Sequence, residues 1–91
     1  SFMAYNKASV YHSEIEPLVQ KLSALCYEKG LPCFITVALA NTKEGWTEYA
    51  SDLVSPDKVG VELNDDQISR HVNVLNGFHT KLPDEPVVLD F

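Results

Sequence analysis

Gly30-Leu31-Pro32 constrains the fold more than any other stretch of the chain. Before it, Ile15, Leu18, Val19, Leu22, Leu25 and Cys26 recur at the i, i+3, i+4, i+7 spacing of one apolar helix stripe. After it, the run CFITVALA, from Cys33 to Ala40, is rich in β-branched and aromatic residues and too short for a buried helix. Glycine ends a helix in a left-handed cap, and the proline prevents its resumption. A helix must therefore stop and a strand begin within three residues. Ser13 and Glu16 have the spacing of a capping box, and Pro17 suits a first turn, where its missing N–H is not needed. These signals predict a helix over residues 14–29, with its stripe buried against strand 33–40.

The polar segment NTKEG reads as a turn, and WTEYASDLV alternates as a second strand. So short a connection predicts an antiparallel hairpin, with Trp46 near the turn and Tyr49 on the face opposite Glu48. Ser55-Pro56-Asp57 has the form of a helix start, but Gly60 leaves barely one turn. Val61 and Leu63 flank Glu62 in a short extended stretch. A second helix is expected over residues 65–76, with Asp65 and Asp66 complementing its dipole. Ile68, His71, Val72 and Leu75 form its stripe, Asn76-Gly77 its stop, and Phe78 folds back over the last turn. Ala8 to Tyr11 reads as a short strand. Residues 82–91 read as a proline-broken linker followed by an edge strand, VVLDF.

The expectation is thus an α+β fold: helix, antiparallel hairpin, helix, and one or two short flanking strands packed as a small two-layer domain. Ninety-one residues make one domain, 1–91, and a composition 45% hydrophobic and 22% charged is that of a globular chain. Met3 reads as the natural start, with Ser1-Phe2 an expression scar. No secretory signal is expected, and the longest apolar run falls far short of the ~20 residues of a membrane helix. Cys26 and Cys33, seven apart, match neither a Cys-x-x-Cys pair nor a zinc knuckle, and are expected as reduced, buried thiols.

Charge is divided unevenly. Residues 1–45 hold four lysines against four glutamates, whereas residues 46–91 hold three basic residues against nine acidic ones. That potential favours a basic protein surface and disfavours direct contact with nucleic acid or an anionic membrane. The acids Asp52, Asp57, Glu62, Asp65 and Asp66 crowd fifteen residues, yet their spacing misses the calcium-loop pattern. They read as a solvated loop or an acidic docking face. Trp46 and Tyr49 join them as candidate partner-binding residues, since partly exposed aromatics are enriched where proteins bind partners. His71 reads as a stripe histidine with one ring nitrogen bonded to a backbone carbonyl. No cofactor, metal or catalytic motif is found, and a phosphate-binding glycine loop is not expected.

The stretch VSPDKVGVELNDDQISRHVNVLNGFHT, residues 54–80, resembles a block found in small proteins of bacterial phages and mobile elements, and the layout from EIEPLVQKL to WTEYAS is similar to the same group. The resemblance implies a bacterial cytoplasm and a stand-alone domain, and by context a protein that binds and blocks or redirects another. It carries over no functional residues. The resulting expectation is a small acidic non-enzymatic interaction protein. Its rivals are a small-ligand or metal-binding module acting as a homodimer through an open sheet edge, and an enzyme with a site built from His71, Cys33 and the acids of 52–66.

Overall fold

The computed structural model describes residues 4–79 of the chain, an α+β domain built from two helices and a hairpin. The first helix, α1, is continuous but not uniform: α-helical over Ala8–Val10, π-helical over Tyr11–Ile15 and α-helical over Glu16–Lys29. It starts earlier than the capping box predicts. The Ala8 N–H donates to Asn6 Oδ1 at 3.1 Å, an Asx turn that launches the helix where a strand over Ala8 to Tyr11 was expected. Ser13 lies inside the helix, its hydroxyl donating to the Ser9 carbonyl at 3.0 Å, while Glu16 pairs with His12 at 2.9 Å. The wide turn has a physical cause in Pro17. A proline inside a helix lacks the N–H for the carbonyl four residues back and collides with it. Widening the preceding turn, with the Glu16 N–H bonded to the Tyr11 carbonyl, relieves that conflict without ending the helix. The C-terminus is as predicted: Gly30 is left-handed at φ 75°, and the Leu31 and Gly30 amides donate to the carbonyls of Cys26 and Tyr27 at 2.8 and 3.2 Å.

Strands β1 (Cys33–Asn41) and β2 (Thr47–Val54) pair antiparallel from Cys33 opposite Val54 to Asn41 opposite Thr47. A bulge at Leu39, between the pairs Ala38–Tyr49 and Ala40–Glu48, breaks the alternation, and both Leu39 and Ala40 are buried. On its other edge the end of β1 receives the N-terminal segment: Asn6 bridges Ala40, the Lys7 N–H donates to the Leu39 carbonyl at 2.7 Å, and the Asn41 N–H donates to the Tyr5 carbonyl at 2.9 Å. After β2, a single 3-10 turn, Asp57–Val59, ends at left-handed Gly60, as Ser55-Pro56 and Gly60 predict.

The second helix, α2 (Gln67–His79), begins two residues later than expected, because Asp66 is its cap: Asp66 accepts from the Ser69 N–H at 2.9 Å and from the Ser69 hydroxyl at 2.8 Å. It also runs on through Asn76-Gly77 to His79, so Gly77 stays in helical geometry, and Phe78 lies within the helix and not in a fold-back. The expected edge strand and linker of 82–91 lie outside the described residues.

The main core cluster comprises Tyr11, Val19, Leu39 and Ala40, with Ala8, Ile35, Val37 and Ala50 packed against it, and Val54 of β2 and Val72 of α2 are buried outside that cluster. This corrects the expectation for the α1 stripe. Of Ile15, Leu18, Val19, Leu22 and Leu25, only Val19 is buried; Leu18 is 63% and Leu22 51% exposed. The helix is turned so that Val19, Ser23 and Cys26 face the sheet. Tyr11, 6% exposed and supplied by the unforeseen first turns, fixes that rotation by filling the space beneath the helix. Docking through a valine, a serine and a cysteine brings α1 close to the strands, and the leucines are left on the flank.

Candidate binding groove

Alternation along the hairpin divides its side chains between two faces. Ile35, Val37 and Ala50 point to α1 and the core. Phe34, Thr36 and Tyr49 therefore point to the opposite face, where α2 lines a groove with them. Between Phe34, Thr36 and Tyr49 on the hairpin and Ile68, His71, Val74 and Leu75 on α2 is a groove of about 400 Å³. Its walls are overwhelmingly apolar. Thr36 Oγ1 is already an acceptor for the Ser51 hydroxyl at 3.0 Å. His71 Nδ1 lies 2.7 Å from the Gln67 carbonyl oxygen. A carbonyl only accepts, so Nδ1 is the donor in this contact, and Nε2 takes no part in it.

Ile68 also lines a second hollow of about 280 Å³, formed by Leu53, Ser55, Pro56, Asp57, Asp66, Ser69 and Val72. The two hollows share that isoleucine, so a mostly apolar hollow and one bearing two carboxylates lie side by side. The Asp66 carboxyl is held below its usual value by the Ser69 amide and hydroxyl, with smaller contributions from the Ile68 amide and Arg70, so it stays ionised to lower pH than an ordinary carboxyl.

The sequence-predicted residues are distributed unevenly over these hollows. Tyr49 lines the groove, and Asp57 and Asp66 line the second hollow. Asp65 points to Arg70 Nη2 at 3.6 Å and accepts from Gln67 Nε2 at 2.8 Å. Glu62 is exposed on the extended segment before α2. Asp52 is on the other face of β2, where it accepts from the Ser23 hydroxyl of α1 at 3.4 Å. It also lies close enough to Tyr11 that burial, Glu16 and Asp52 together push that phenol's pKa up. Trp46 belongs to the hairpin turn: its N–H donates to Thr42 Oγ1 at 3.2 Å, and its carbonyl accepts from the Thr42 N–H at 2.8 Å. The seven residues therefore do not share one face.

The constellation considered for an enzyme is not assembled either. His71 lies on the groove side of the sheet, while Cys33 lies on the α1 side, in contact with Cys26. Among the described residues no three His, Cys, Asp or Glu side chains are grouped to hold a metal ion, and no helix is long and apolar enough to cross a membrane. Phe34, Thr36, Gln67 and Val74 are the groove residues that the sequence reading passed over. Phe34 and Thr36 carried a signal: they alternate with Ile35 and Val37, so burial of one pair under α1 commits the other to the opposite face. No family model, curated protein or solved structure matches the chain.

Proposed function

We propose that this protein is a non-enzymatic binding domain that engages a basic, apolar segment of a partner protein in the groove between the hairpin and α2. The observation that carries the reading is the adjacency of the two hollows on either side of Ile68, one mostly apolar and the other bearing Asp57 and Asp66. A groove of about 400 Å³ accommodates one large apolar side chain of a partner, and burial of such an anchor dominates interface energetics. Asp57 and Asp66 would then meet a lysine or arginine beside that anchor. The excess of acids in residues 46–91 would speed encounter with a basic surface. A cytoplasmic protein of a bacterial phage or mobile element, acting as an inhibitor of its target, is the setting that the sequence resemblance suggests for such a domain.

The test is titration with two synthetic peptides, each with a central leucine, one flanked by arginines and one by glutamates. The arginine peptide should bind, and its affinity should fall as salt rises, since exposed charges are screened beyond about 8–10 Å. Asp57→Asn should weaken it, and Glu14→Gln, on the neutral half, should not. Equal binding of both peptides, or none of either, would overturn the reading. A groove of this volume also suits a small apolar ligand, whose binding would be insensitive to salt.

A further inference from the structure

The fold brings together two cysteines that their spacing in sequence leaves apart. Val19 and Cys26 are seven residues apart, two turns along the same side of α1, the side that faces the sheet. Cys33 opens β1 and alternates with Ile35 and Val37, so it shares their α1-facing side. The link between the two is a well-defined cap: Gly30 is left-handed, the Leu31 N–H donates to the Cys26 carbonyl at 2.8 Å, and Pro32 restricts the approach to the strand. The two side chains are neighbours there, close enough that Cys26 adds to the burial that pushes the Cys33 thiol up. Both side chains are half-buried and so remain accessible to a small reagent.

We propose that Cys26 and Cys33 form a reversible intramolecular disulfide through exchange with a low-molecular-weight disulfide of the glutathione type. Burial, and then the neighbouring Cys26, push the Cys33 thiol up, which disfavours Cys33 as the attacking group and leaves the first step to Cys26. Its thiolate attacks one sulfur of oxidised glutathione, forming a mixed disulfide and releasing one glutathione thiolate. Cys33 then loses its proton and attacks the Cys26 sulfur, forming the protein disulfide and releasing the second glutathione. The protein dithiol is oxidised by two electrons, oxidised glutathione is reduced to two thiols, and the two cysteine protons end on them. The bond would tie the end of α1 to the start of β1 on the face opposite the groove.

The experiment incubates the reduced full chain, Cys26→Ser and Cys33→Ser with oxidised glutathione, followed by acid quench and intact mass. In the unsubstituted chain both thiols should disappear together, with loss of two hydrogens and no change in oligomeric state. Its glutathione adduct should remain roughly tenfold or more below that of either variant, because the second thiol acts at high effective concentration. Peptide mapping of the unsubstituted chain, which does not depend on how the variants fold, should find Cys26 joined to Cys33. Dithiothreitol should restore both thiols. Adducts that persist as in the variants, or disulfide-linked dimers in place of the internal bond, would overturn the proposal.

Discussion

The two faces of the hairpin are covered in opposite ways. On one, α1 packs closely through Val19, Ser23 and Cys26, with Tyr11 filling the space beneath, and the sheet contributes Leu39, Ala40 and Ile35. On the other, α2 stands far enough off to leave a groove of about 400 Å³. The difference shows in burial: Val19 of α1 is buried, whereas α2 buries Val72 and leaves Val74, on the groove, 55% exposed. The α1 face holds most of the buried side chains, whereas the α2 face leaves a concave apolar surface, the one on which the proposed binding rests.

That division can be broken by mutation, starting with the closed face. Leu39→Ala should cost about 2–4 kcal/mol, because Leu39 is 8% exposed at the bulge and the cavity left behind has little freedom to collapse. A loss below about 1 kcal/mol in chemical denaturation would mean that this face is not the core. The next effect lies at the hollow bearing Asp57 and Asp66. Asp66→Asn should lower the melting temperature by a few degrees near neutral pH, through the weakened cap of α2. Because the folded-state pKa of Asp66 lies below the unfolded one, its stabilisation is fully present above the unfolded value and is lost as pH falls through the folded value. The melting temperature of the unsubstituted chain should thus fall more steeply in acid than that of Asp66→Asn. Parallel profiles would remove Asp66 from the capping role.

A smaller effect separates the α1 stripe from the core. Leu22→Ala removes as many carbons as Leu39→Ala but should cost under about 1 kcal/mol, since Leu22 is half exposed. A cost like that of Leu39→Ala would mean that the stripe is covered in solution. Val74→Ser, on the rim of the groove, should change stability least, within about 0.5 kcal/mol, while weakening capture of the arginine peptide. If binding were unchanged, the groove would not be the docking surface.

The elements themselves were legible because their signals are local. Gly30-Leu31-Pro32, the NTKEG turn and the Ser55–Gly60 turn each fix backbone geometry within a few residues, and all three lie where the sequence puts them. What the sequence did not reveal was rotation. The apolar spacing of Ile15, Leu18, Leu22 and Leu25 states that α1 has an apolar side, but which side meets the sheet depends on Tyr11 and on the wide turn before Pro17. A capping box at Ser13 and Glu16 was a plausible local reading, overridden by the Asx turn at Asn6, which nucleates the helix two turns earlier. The acids illustrate the same limit. Asp52 and Asp57 are five residues apart, yet alternation on β2 and the turn that follows send one under α1 and the other to the second hollow.

Chemical-shift mapping on the full, uniformly labelled chain tests the central claim, that the open face of the hairpin does the binding, most directly. Titrated with the arginine-flanked leucine peptide, the amides of Phe34, Thr36, Tyr49, Ile68, His71 and Val74 should move together in a saturable way, with Asp57 and Asp66 following. Ser23, Val37 and Ala50 on the closed face should stay fixed. Saturable shifts confined to Ile15, Leu18, Leu22 and Leu25, with the groove amides unmoved, would contradict the account and assign binding to the flank of α1.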